Sequence, residues 1–156
     1  MVIVREATEE DMPRIRELAM QIQKQHEDYG DINRLKTNAR QIIDKFYRNI
    51  MKSSRMVLFV ADDEGEVVGY ALGEIEKRDP FYEEEYFGIL EEIMVDESHQ
   101  SKGTGKKLLE EIFNWFRENN IKYAELEVDR QNEKAYKIWE KQGFEVNTYR
   151  MSKKLV

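Results

Sequence analysis

The sequence contains no cysteine. That absence excludes disulfide frameworks, thiolate zinc sites, iron–sulfur clusters and a cysteine nucleophile. Histidine is also scarce: only His26 and His99 are present, neither has a spaced set of partner ligands, and no metal site is expected. Two prolines and no glycine- or serine-rich tract leave no linker, so the 156 residues are expected to form one domain. No stretch approaches the roughly 20 apolar residues needed to span a bilayer, so no membrane partner is expected. The opening residues lack a basic region followed by an apolar stretch and a small-residue cleavage site. A cytoplasmic location is the expectation. Lys and Arg number 25 against 32 Asp and Glu, a formal net charge of -7. Such a surface repels nucleic acid on average. Hydrophobic residues at 40% still suffice for a core.

The apolar pattern predicts the order β-α-α-β-β-β-α-β-α-β. Val2 to Glu6 reads as a strand. Thr8 with Asp11 resembles a helix-capping pair, and Ile15, Leu18, Ala19 and Ile22 recur at helical spacing. A second helix carries Leu35, Ala39, Ile42, Ile43, Phe46 and Ile50. Met56 to Ala61 and Val67 to Ile75 flank the turn signal Asp62-Asp63-Glu64-Gly65 and predict an antiparallel hairpin. Tyr86 to Val95 is a further strand. An amphipathic helix with Leu108, Leu109, Ile112, Phe113 and Phe116 follows, ended by Asn119-Asn120. Tyr123 to Val128 is expected as a strand, Ala135 to Trp139 as a short helix closed by Gly143, and Phe144 to Met151 as the last strand. The β-α-β unit implies a right-handed crossover and one parallel pair in a mostly antiparallel sheet.

The most informative local sequence is Gln100-Ser101-Lys102-Gly103-Thr104-Gly105-Lys106-Lys107, between a strand and a helix. A helix start leaves backbone N–H groups unpaired. Glycines let an anion approach them, and the helix dipole adds attraction. With three lysines beside it in an acidic chain, the turn predicts a phosphate or pyrophosphate seat. It is not a P-loop, because Gln100 and Lys107 stand where glycine and Ser/Thr are needed. Leu108 likewise breaks a dinucleotide fingerprint. A tight turn carrying solvated lysines is the plain alternative.

The stretch Leu90 to Leu109 resembles the acyl-CoA-binding segment of the GCN5-related N-acetyltransferase (GNAT) superfamily, whose Gln/Arg-x-x-Gly-x-Gly/Ala pattern is matched by Gln100, Gly103 and Gly105. Asn132, Ala135, Ile138, Trp139, Gly143 and Phe144 are similar to a second family segment. The resemblance extends to both ends of the chain. It implies an α/β (α+β) acyl-CoA N-acyltransferase fold over residues 1–156, a strongly twisted mixed sheet with helices on both faces. It implies acetyl-CoA as the acyl donor, CoA as product, and transfer to a primary amine by direct attack in a ternary complex. Cofactor contacts are implied for Ile93, Met94 and Val95 on the fourth strand and for Gln100, Ser101, Lys102, Gly103, Thr104, Gly105 and Lys106 in the turn. Asn132, Tyr136 and Trp139 complete the implied set, with Asn132 equally suited to a helix cap. Relatives are often dimers, so a homodimer is one expected assembly. A non-catalytic acyl-CoA-binding sensor or subunit is the competing class.

An ammonium group must lose a proton before it can attack, and a carboxylate can take it. Glu91 and Glu92 are the candidate bases. Strand alternation puts adjacent residues on opposite faces. Glu91 would then lie with Ile89, Ile93 and Val95, and Glu92 with Leu90 and Met94, which favours Glu92. The family's oxyanion donor is a strand N–H near Met94. The family's usual acid is a tyrosine where this chain has Trp139; Tyr136, one turn earlier, is the replacement candidate, and protonation by solvent is the alternative. The regions that form the family's acceptor pocket hold nine acidic residues, among them Glu27, Asp31, Glu74 and Glu83, with Tyr29, Phe81 and Tyr82. That composition suits a cationic amine: a polyamine, an aminoglycoside-like compound, or a peptide or protein amine.

Overall fold

A computed structural model describes all 156 residues. Five strands form one sheet in the order β1-β2-β3-β4-β5. These are β1 (Val2–Glu6), β2 (Met56–Asp63), β3 (Glu66–Lys77), β4 (Tyr86–Val95) and β5 (Ala124–Leu126). All neighbours are antiparallel except β4 and β5. Helices α1 (Met12–Glu27) and α2 (Ala39–Ile50) precede β2, α3 (Thr104–Glu118) joins β4 to β5, and α4 (Glu133–Lys141) follows β5.

The sequence explains why both faces are covered. The run Val57 to Ala61 is buried throughout rather than alternating, as a strand between two helix layers requires. Leu58, Val60, Tyr70, Leu72 and Met94 meet Met12, Ile15, Leu18, Tyr47 and Ile50 of α1 and α2. Val57, Phe59, Ala71 and Leu90 meet Leu108, Leu109, Ile112 and Phe116 of α3. Burial of each large aliphatic side chain contributes about 1.5–3 kcal/mol. The β2–β3 hairpin turns on Glu64 and Gly65, both at positive φ (54° and 95°), a pairing that matches the twist of the strands it joins.

Two expectations are corrected at the C-terminal side. Residues 144–151 form no strand, and β5 is confined to Ala124–Leu126. A sixth strand gains stability only along a neighbour of useful length, and β5 offers three residues. Val146, Tyr149 and Met151 are exposed, so the apolar residues that suggested a strand are not drawn to any core. The segment instead runs outside the sheet. Arg150 pairs with Glu127 at 2.6 Å, and Ser152 to Lys154 face Asp31, Ile32 and Arg34 of the α1–α2 connection across a cavity of about 430 Å³. No helix is long and apolar enough to cross a membrane.

Candidate active site

The site begins with an irregularity in β4. Leu72 of β3 pairs with Glu92 and the next residue, Gly73, pairs with Leu90, so Glu91 is an extra residue in the ladder. A bulge of this kind bends the strand and re-aims its side chains. Leu90 therefore packs toward α3, whereas Met94 packs toward α1 and α2. This corrects the alternation expected from the sequence: Glu92 does not share a face with Leu90. Glu92 reaches Tyr47 and Gln23 on the α1–α2 face, and Glu91 lies against Glu74 and near Glu92 and Glu127. Both carboxylates consequently serve one side of the sheet, not opposite sides.

The opening between β4 and β5 begins next to the bulge. Their parallel pairing runs Gly88–Ala124, Ile89–Glu125 and Leu90–Leu126, then stops. From Glu92 to Val95, β4 is paired with β3 alone, and from Glu91 onward its other edge has no strand partner. Ile93, Met94 and Val95, the residues implied for cofactor pairing, all lie on this unpaired stretch.

Beyond Val95 the chain makes a short 3₁₀ turn, Glu97–His99, and enters the glycine-rich segment. Gln100 folds back so that its Nε2 donates to the Val95 carbonyl at 3.0 Å. Ser101 and Gly103 both adopt positive φ (60° and 85°), which curls the backbone before Thr104 starts α3. The N–H groups of residues 101 to 106 find no acceptor in the chain. Six consecutive free donors at the start of a fifteen-residue helix make an anion cradle. A Cβ placed on Gly105 would meet nothing closer than Val95 Cγ2 at 3.8 Å, and one on Gly103 would meet nothing within 4 Å. The protein itself does not fill the space above the turn. These residues therefore fit a bulky diphosphate. Lys102 and Lys106 are exposed beside it, while Lys107 is turned away and donates to the Val2 carbonyl at 2.9 Å.

The electrostatics of the two glutamates differ. Loss of water around the carboxyl, then hydrogen bonding to and repulsion by Glu74, push the Glu91 carboxyl up to about 7. Glu92 accepts from Gln23 Nε2 at 2.9 Å, from the Tyr70 hydroxyl at 2.6 Å and from the Tyr47 hydroxyl. Burial, followed by neighbouring negative charge or hydroxyl, raises both tyrosines far above their ordinary range, so they stay protonated donors. No group of three or more acidic or histidine side chains is placed to hold a metal ion.

The remaining implied residues lie at the start of α4 and along it. Asn132 caps the helix, its Oδ1 accepting from the Ala135 N–H at 3.1 Å. Tyr136 is exposed, and its hydroxyl sits 3.5 Å from Glu140 of the same helix. The Trp139 ring meets Phe144 edge-on at 5.9 Å and packs toward α3. Tyr136 and Trp139 thus do not share one environment, although they are one turn apart. Sequence reasoning missed Gln23, Tyr47 and Tyr70. A signal was present for the tyrosines: each interrupts an otherwise apolar core stripe, and a buried hydroxyl needs a partner.

Residues 12–144 match the model of the acetyltransferase (GNAT) family. The BH1408 protein from Bacillus halodurans, solved as a tetramutant, superposes with a TM-score of 0.86 at 22% identity over 98% of this chain and 99% of that one. A predicted acetyltransferase from Clostridium acetobutylicum, solved with acetyl-CoA, gives 0.77 at 17% identity over 99% and 97%. The aminoglycoside N-acetyltransferase AAC(6')-Iy, solved with CoA, gives 0.78 at 18% identity over 100% and 96%. No curated protein sequence matches the chain significantly. The structural likenesses share its fold, and the family match spans most of its length. The chain belongs to the acetyltransferase (GNAT) family and is an acetyl-CoA-dependent N-acetyltransferase.

Proposed function

We propose that this protein acetylates a cationic primary amine, of the polyamine or aminoglycoside class, in a ternary complex with acetyl-CoA. The observation that carries this reading is the bulge at Glu91. It lies where the β4–β5 pairing stops, just after Leu90, and two carboxylates follow there on β4. When bound, acetyl-CoA supplies an activated thioester. The free amides of residues 101 to 106 would hold its diphosphate, and the open edge of β4 from Glu91 to Val95 would offer backbone hydrogen bonds to its arm. Gly105 leaves room for that approach.

On β3 and β4 beside the gap, Glu74, Glu91 and Glu92 concentrate negative charge that attracts an ammonium group. Glu91 is the proposed proton acceptor. Its raised carboxyl lies close to neutrality, where a base is both available and strong enough to be useful. Glu92, the base that strand alternation favours, accepts from two tyrosine hydroxyls at Oε2 and from Gln23 at Oε1, so its orientation is fixed by three donors. The Tyr136 hydroxyl is exposed to solvent and neighbours only Glu140 of its own helix, so solvent is the proposed proton source for the departing thiolate. Solved aminoglycoside acetyltransferases of the same fold support the acceptor class.

The test is release of free CoA from acetyl-CoA in the presence of spermidine, kanamycin or a lysine-containing peptide. Acetylation of spermidine or kanamycin is expected, with product mass raised by one acetyl group. Binding of acetyl-CoA without turnover on spermidine or kanamycin would overturn the proposed acceptor class.

A further inference from the structure

Two buried tyrosines raise a question that packing does not answer. Tyr47 of α2 is 1% exposed and Tyr70 of β3 is 0% exposed. Their rings meet edge-on at 5.7 Å, and their hydroxyls lie 3.2 Å apart. Phenylalanine at both positions would keep the ring contact without bringing two hydroxyls into the core. Burying a hydroxyl is costly unless it is bonded. Both hydroxyls are bonded, and to the same atom, Glu92 Oε2. Gln23 of α1 holds the other oxygen at 2.9 Å. Three elements, α1, α2 and β3, thus converge on one half-buried carboxylate next to the proposed base.

We propose that Tyr47, Tyr70 and Gln23 are positioning residues whose convergent donors fix the Glu92 carboxylate as the seat for the acceptor's ammonium group. The proposal rests on the acetyl-transfer reading above and assigns a separate job within it. Glu91 moves the proton; Glu92, whose Oε1 accepts only from Gln23 and can take one more donor, holds the amine in place. A seat fixed from three directions cannot swing toward Glu91. The division explains why the bulge brings two carboxylates to one face yet surrounds them differently: acidic neighbours for Glu91, neutral donors for Glu92.

The experiment measures steady-state kinetics of the full-length protein with spermidine as acceptor and acetyl-CoA as donor, for wild type, Tyr47→Phe, Tyr70→Phe, the double variant and Gln23→Leu. The double variant is expected to raise the spermidine KM about tenfold or more, as loss of hydrogen bonds to a charged group does. The acetyl-CoA KM should stay within about twofold, since no uniform donor binding is removed. The rise of kcat/KM with pH should keep its midpoint, because Glu91 is untouched. Gln23→Leu, at a half-buried helix position, should show the same pattern more weakly and covers the case in which the tyrosine variants fold poorly. A spermidine KM within about twofold of wild type in every folded variant overturns the proposal. So does a shifted pH midpoint, which would mean that the clamp acts on the base. A wild-type protein that releases no CoA with spermidine, kanamycin or the peptide overturns the acetyl-transfer reading, and the clamp's role with it.

Discussion

Replacing Glu91 with glutamine is expected to lower kcat about 100- to 1000-fold at neutral pH, the usual worth of a positioned general base. The substitution keeps size and hydrogen-bonding reach but cannot accept a proton. In the wild type, the base works only when ionised. With the Glu91 carboxyl raised to about 7, kcat/KM should therefore climb as pH rises through neutrality and level off above it. Below that point the protonated carboxyl shares its proton with Glu74, and activity is lost. Glu91→Gln should remove this limb while leaving acetyl-CoA affinity within about twofold, since the amides that seat the diphosphate are distant in the chain. Glu74→Gln is the informative companion. Removing the like charge lowers the Glu91 carboxyl and should move the limb to lower pH. Rates and pH profiles of the three proteins check this. Retention of wild-type kcat by Glu91→Gln would show that another group carries the proton.

The second large effect concerns stability. Gly88 sits under Phe116: a Cβ added there would lie 2.6 Å from the ring's Cζ and 2.7 Å from both Cε atoms. An aromatic ring that is 3% exposed cannot tilt away without disturbing α3. Gly88 also opens the β4–β5 pairing and donates its N–H to the Tyr123 carbonyl at 2.9 Å, so the strand cannot retreat cheaply. Gly88→Ala should cost about 2–3 kcal/mol, the scale of overpacking in a dense core. Urea denaturation measures it. Phe116→Leu should be less damaging in the Gly88→Ala background than alone, because the two changes share one space. Additive losses would mean that the ring is not what excludes the methyl.

How much of this was legible in the residues depends on the kind of constraint involved. The glycine-rich turn could be read because its chemistry is local. Backbone curvature at Ser101 and Gly103, a helix start and free amides all follow from neighbouring residues. Helical stripes and the Glu64-Gly65 hairpin were legible for the same reason. The bulge was not. Leu90-Glu91-Glu92-Ile93 is compatible with regular alternation, and only the pairing with Leu72 and Gly73 shows the extra residue. That single insertion decides which way both glutamates face. The tyrosine clamp is likewise non-local: Tyr47, Tyr70 and Glu92 come from three elements that only the fold brings together. The expected last strand failed for the opposite reason. Phe144, Val146 and Met151 gave a local signal, but no neighbour of sufficient length was there to pair with it.

Gly105 gives the sharpest contrast between folding and binding. Alanine there meets no close neighbour, and inside a helix it is favoured over glycine by about 0.5–1 kcal/mol. If the space above the first turn of α3 is kept free for a diphosphate, stability and affinity must move in opposite directions. Calorimetric titration of acetyl-CoA into wild-type and Gly105→Ala protein, with a melting curve for each, measures both. A higher melting temperature is expected for the variant together with at least about tenfold weaker binding, equivalent to the loss of roughly 1.4 kcal/mol. Equal affinity in the two proteins, or none in the wild type, would contradict it.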